Sequence, residues 1–169
     1  MLLQFGFTKK IIAPYLLFVL NLSFVFVFAT NQAAANQSAA RDYQRLTGEW
    51  QLTSAVIDGK RVPQSQLKRT LLITTGNTFR FPQSSGVATH PAGRFTVNPN
   101  TVPKEVDSVA IGGKNAGKVT RGIYEIIDAT HQRECWGPPG GRRPASFESP
   151  RGSKFILQYW RKIGPAPKT

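Results

Sequence analysis

The sequence predicts an all-β fold, an antiparallel barrel or sandwich of about eight strands behind an N-terminal export segment. Three observations predict it. After Gly48, apolar residues recur with a period of two along most of the chain, the alternation of half-buried strands. Turn dipeptides and prolines interrupt that alternation at short intervals, as in a meandering sheet. No stretch after Gly48 carries a 3.6-residue apolar period over helical length. Composition agrees: of 169 residues 40% are hydrophobic and 11% aromatic, enough for a core, and 15 Gly and 12 Pro supply the turns.

Lys9 and Lys10 precede an apolar run from Ile11 to Ala29, which turns polar at Thr30. Residues 1–29 therefore have the charged, apolar and small-residue order of a secretory signal peptide. Cleavage is expected after Val27-Phe28-Ala29 or after Ala33-Ala34-Ala35. The alternative is an uncleaved anchor, because 19 apolar-run residues approach the roughly 20 that span a bilayer; Pro14, Asn21 and Ser23 weaken that span. Either reading puts the domain outside the cytoplasm, in the periplasm or secreted. The single cysteine, Cys135, excludes an intramolecular disulfide framework, a multi-cysteine zinc site and a lipid anchor next to the apolar run. Asn31 to Ala40 is built of Ala, Asn, Gln and Ser, so residues 30–45 read as a flexible spacer ending in a short helical turn before Thr47-Gly48.

The folded domain is expected over residues 46–163. Trp50, Leu52 and Val56 alternate with Gln51 and Thr53 as far as Asp58-Gly59, a hairpin dipeptide. Leu67, Leu71 and Ile73 continue the alternation to Thr75-Gly76-Asn77. Beyond that turn Phe79 and Phe81 face one way, Thr78 and Arg80 the other. Phe95 and Val97 alternate with Arg94, Thr96 and Asn98 before Pro99 and Pro103 break the run. Val106 to Ile111 is a short strand. Val119 to Ile127 is rich in β-branched and aromatic residues that favour strands, and His131 to Trp136 pairs with it across Asp128-Ala129-Thr130. Phe155 to Arg161 is the last strand. Gly137 to Pro150, mostly Pro, Gly, Arg and Ser, reads as a long exposed loop, and residues 164–169 as a tail.

Gly48-Glu49-Trp50 at the start of the first strand, with Arg161 at the end of the last, resembles the signature of lipocalin-like barrels. The resemblance implies that Trp50 closes one barrel end and that Arg161 packs across its ring, a contact worth roughly 0.5–2 kcal/mol. A longer series occurs in one order: Leu46-Thr47-Gly48-Glu49-Trp50, Asp58-Gly59-Lys60, Pro103 with Val106-Asp107, Gly122-Ile123-Tyr124-Glu125-Ile126, Arg143-Pro144 with Phe147, and Arg161. It is similar to an uncharacterised bacterial family of small lipocalin-like domains, known chiefly from planctomycete genomes, and covers about Leu46 to Lys162. That family has no established activity, so the resemblance implies a fold rather than a function. This chain departs from it by carrying Gln132 and Glu134 where the family has apolar residues. In one register these two side chains face the lumen; in the other they face solvent, and His131, Arg133 and Cys135 turn inward.

The net charge is +13 and the pI about 10.5. Basic clusters at Lys60-Arg61, Lys68-Arg69, Arg142-Arg143 with Arg151 and Lys154, and Arg161-Lys162 attract polyanions and anionic membrane surfaces. Arg142, Arg143 and Arg151 are therefore candidate contacts for an anionic cell-envelope polymer. Gly112 to Lys118 has the spacing of a phosphate-binding loop, but Val119 stands where a Mg²⁺-binding hydroxyl is required and a strand follows, so no nucleotide is expected. His131 and Glu134 are three apart on a strand and face opposite sides, and nothing near Cys135 marks a depressed thiol pKa. Glu105 and Asp107 share a face beside Lys104 and read as surface charge. With two histidines and one cysteine, neither a metal nor a cofactor is expected, nor is an enzyme. The leading expectation is non-catalytic binding of a small apolar or amphipathic ligand inside the barrel. Phe79, Phe81, Phe95 and Tyr124 would line its site, with Trp50 and Arg161 as closure. The protein should be a monomer, or a dimer linked through Cys135 if that thiol is exposed.

Overall fold

The computed structural model describes residues 33–82 and 92–167; the expected export segment over 1–29 lies outside the described residues. The chain divides into two compact units, Met1–Asn36 and Gln37–Thr169, and the second holds the sheet. Residues 33–46 are helical (α1), where the composition had pointed to a spacer and one turn. Five alanines between positions 33 and 40 give that stretch the strongest helix propensity in the chain, and they outweigh its lack of an apolar stripe. Then follow β1 (Gly48–Ile57), β2 (Lys60–Arg61), α2 (Gln64–Leu67), β3 (Leu71–Thr75), β4 (Thr78–Arg80), β5 (Ala92–Asn98), β6 (Lys104–Ala110), β7 (Val119–Ile126), β8 (His131–Trp136) and β9 (Ile156–Gly164). Leu67, expected on a strand, sits instead in the single turn of α2, which follows Pro63, a residue preset for a helix start.

From β3 onward each strand pairs antiparallel with the next, and β9 returns to pair with β1. The result is a closed eight-stranded antiparallel barrel, an all-β lipocalin-like architecture, with β2 as a two-residue flap on the end of β1. Closure removes the unpaired edges that an open sheet would present. Asp58 and Gly59 both take positive φ, 51° and 82°, as a two-residue hairpin turn between β1 and β2 requires.

Two apolar clusters pack inside the barrel. Trp50, Leu52, Leu72 and Trp160 pack with Leu67 of α2. Leu46, at the end of α1, packs with Phe95, Val106 and Tyr124. A third cluster lies outside the barrel, where Ile123 of β7 and Cys135 of β8 are covered by Phe155, Phe147 and Leu157. The 137–150 segment is therefore not simply an exposed loop. The outward residues Ile123, Cys135 and Leu157 are apolar, and leaving them in water would forfeit their burial, so the segment straps across them. Arg143 pins the strap: its guanidinium donates to the carbonyls of Val106 (3.0 Å) and Gly122 (2.6 Å) and pairs with Glu105 and Asp107.

Candidate functional site

A cavity of about 280 Å³ runs down the barrel axis. Its depth follows from strand direction. β8 ascends from the end that α1 closes, so Gln132 is deep, Glu134 midway and Trp136 near the mouth. All three line the cavity, with Leu46 at the floor. Phe81, Pro138, Pro139 and Lys154 form the upper rim, and Lys154 is exposed there.

The walls differ chemically. Phe79, Phe81 and Phe95 line the side of β4 and β5, with the Phe79 and Phe81 rings edge to face at 5.9 Å. Four strands around the barrel, Gln132 and Glu134 of β8 and Gln158 of β9 present amides and a carboxyl. Ser108, Thr120 and Thr74 add hydroxyls between them. The register left open by the sequence is thus resolved, with Gln132 and Glu134 inward and Cys135 outward. Cys135 is wholly buried, its Sγ donating to the Glu148 carbonyl at 3.3 Å. Burial pushes the thiol up to about 11, and it lacks the exposure that a disulfide-linked dimer needs.

Two features of the polar wall are energetically unusual. Gln132 is 1% exposed, yet neither its Nε2 nor its Oε1 has a hydrogen-bond partner. An unpaired buried amide group forfeits roughly 1–3 kcal/mol. Glu134 accepts one hydrogen bond, from Trp136 Nε1 at 2.9 Å. The Trp160 indole N–H also acts on it without completing a hydrogen bond. Burial pushes the Glu134 carboxyl up to about 7, against the opposing pull of those two indoles. No basic side chain among the described residues forms an ion pair with it.

Of the four residues expected to line a ligand, Phe79, Phe81 and Phe95 line the cavity and Tyr124 does not. Tyr124 lies below the cavity, where its hydroxyl donates to Asp42 Oδ2 of α1 at 2.6 Å, and the same oxygen meets Lys104 Nζ at 2.7 Å. Burial, then the Asp42 contact, drives the phenol well above its ordinary range. Trp50 is fully buried at the closed end and its Nε1 donates to the Leu46 carbonyl at 2.8 Å. The cation over its ring is Lys162, at 4.7 Å, rather than Arg161. Register explains the correction: Trp50 is paired with Lys162 and Gln51 with Arg161, so Arg161 points outward and is exposed. Of the basic trio, Arg142 and Arg151 are exposed, with Arg142 over the Phe155 ring at 5.0 Å. Arg143 is committed to Glu105 and Asp107, which therefore serve the strap.

Sequence reasoning missed Gln158 and Trp136 as lining residues. The signal was present: Gln132, Glu134 and Trp136 share one phase of β8, and Gln158 shares a phase of β9 with Trp160. No family model, curated protein or solved structure matches the chain.

Proposed function

We propose that this protein is a non-catalytic carrier that holds one small apolar or amphipathic molecule in its barrel, and that it works outside the cytoplasm. The observation that carries the reading is the two-sided cavity, aromatic on β4 and β5 and polar on β8 and β9, with Gln132 unsatisfied on the polar side. A merely filled core would have no use for an unpaired buried amide. Eight-stranded barrels have room for one such ligand, and an apolar pocket with a few convergent polar groups is the usual form of a small-molecule site. The export reading is supported by Lys9, Lys10 and the apolar run that follows. Kinship with the small bacterial lipocalin-like domains belongs to the same proposal.

The test is mass spectrometry of the protein purified from its own host, under native and then denaturing conditions. The carrier reading expects an excess native mass that vanishes on denaturation. It also expects that excess to be lost in Phe81→Asp while the variant still melts cooperatively. A native mass equal to the bare polypeptide, or a bound mass indifferent to Phe81→Asp, overturns it. The denatured mass of the same sample reports whether residues 1–29 have been removed.

A further inference from the structure

We propose that the lumen selects small amphipathic amines, the tail lying against Phe79, Phe81 and Phe95 and the ammonium meeting Glu134 with Gln132 beside it. This rests on the carrier reading and specifies its ligand class.

The argument begins with donor and acceptor counts. An ammonium brings three N–H donors and no acceptor. The polar wall offers acceptors at adjacent depths: the Glu134 carboxyl, Gln132 Oε1 below it, which has no partner, and the Gln158 side chain, whose backbone is paired with that of Glu134. The Trp136 N–H is already spent on Glu134, so an incoming carboxylate would have to draw on Gln132 Nε2 and the Trp160 N–H. A carboxylate would also have to sit against Glu134, and two like charges in a buried site exclude one another. An alcohol supplies a single donor. The aromatic wall favours the same choice, since the faces of Phe and Trp rings attract cations when water is excluded.

Charges around the site leave Glu134 available. From β7, Tyr124 faces the adjoining space but is tied to Asp42, which is itself paired with Lys104. From β9 the inward phase carries Ile156, Gln158 and Trp160, none of which titrates, and Lys162, whose ammonium is held over Trp50 by the Arg45 and Thr47 carbonyls. From the turn before β9, Lys154 stands at the rim in contact with solvent, which screens it. The net charge of +13 draws anions to the surface, whereas among the described residues Glu134 is the only carboxylic acid lining the lumen. Because burial holds this acid near 7, an ammonium binding below that pH must displace a proton. Affinity therefore rises with pH across neutrality.

Three probes with one eight-carbon tail test this by calorimetry on the purified protein at pH 6 and pH 8: n-octylamine, 1-octanol and octanoate. At pH 8 octylamine should bind at least about tenfold tighter than either of the others. Its affinity should fall about tenfold between pH 8 and pH 6, the change in the ionised fraction of an acid with a pKa near 7. Titrations at pH 6 in two buffers of different ionisation enthalpy should show release of close to one proton per octylamine, and none for octanol. Glu134→Gln should bring octylamine down to the level at which octanol binds the same variant. The proton count needs no variant, so it stands even if the substitution unfolds the barrel. Equal binding of all three probes, tighter binding of octanoate, or octylamine binding without proton release overturns the amine assignment and leaves the carrier reading intact. Binding of none of the three overturns both.

Discussion

Gly93 and Gly122 stand where a strand ordinarily prefers a side chain, and both are explained by the ring opposite. Gly93 is paired with Phe79 and Gly122 with Trp136, and each ring occupies the space a Cβ would need. At Gly93 a methyl group would come within 2.5 Å of Phe79 Cζ and closer still to the Val109 carbonyl; at Gly122 it would come within 2.6 Å of Trp136 Cε3. The two glycines thus set how far the aromatic walls stand back from the lumen. Glycine inside a strand gives up backbone entropy, so Gly→Ala at an unconstrained position gains roughly 0.4–1 kcal/mol. Here the sign should reverse. Because the Val109 carbonyl belongs to the sheet and cannot step aside, Gly93→Ala is expected to destabilise by about 1–3 kcal/mol, the usual range for overpacking. A urea titration reads this as a lower midpoint with an unchanged slope, and an unchanged or raised midpoint would show that Phe79 does not depend on Gly93.

The junction of α1 with β9 shows how a single register shift redirects a function expected from sequence. A helix leaves its last carbonyls without internal partners. At the C-terminus of α1 the Tyr43 carbonyl takes the backbone N–H and hydroxyl of Thr47, and the Leu46 carbonyl takes Trp50 Nε1 and the Thr74 hydroxyl. Lys162 Nζ donates to the Arg45 and Thr47 carbonyls at 2.8 Å each, and its charge lies at the negative end of the helix dipole. Burial, aided by Arg45, lowers the Lys162 pKa, the mark of a cation that has given up part of its hydration. Lys162→Met keeps the aliphatic stem over Trp50 and deletes the donors, so it should cost about 1–2 kcal/mol. Arg161→Met should stay within about 0.5 kcal/mol, as surface substitutions do. Comparing the two melts decides between the neighbours, and a larger loss at Arg161 would restore the pairing inferred from the family signature. The sequence carried the tryptophan, the basic pair and their bracketing positions. The bulges between Glu49 and Trp50 and between Leu52 and Ser54, which choose between adjacent lysine and arginine, arise only when β1 and β9 close the barrel. For the same reason the aromatic lining was legible from the period-two phase of Phe79, Phe81 and Phe95. The burial of Cys135 was not, because it depends on a strap whose Pro and Gly content reads as solvent-facing.

The charge of the protein as a whole supplies a test that separates lumen binding from surface binding. Of nine acidic residues, four are held in ion pairs, Asp42, Glu125, Glu105 and Asp107, and Asp128 is hydrogen-bonded to His131. A small cation approaching the barrel mouth therefore climbs a positive potential, an anion descends one, and a neutral molecule feels neither. Added salt shortens the reach of that potential, from about 10 Å at 0.1 M to about 3 Å at 1 M. A contact made at Glu134, inside the lumen, is screened far less. Raising sodium chloride over this range should accordingly increase octylamine affinity by a few fold and decrease that of octanoate, while octanol changes little. A basic surface engaged with an anionic polymer behaves in the opposite way, losing affinity steeply and linearly on a log–log plot as counterions reassociate. Dextran sulfate, titrated in the same salt series, measures that surface through Arg142 and Arg151. If octylamine also weakened steeply with salt, its ammonium would be meeting an exposed carboxylate rather than Glu134, and the polar wall of the barrel would not be its site.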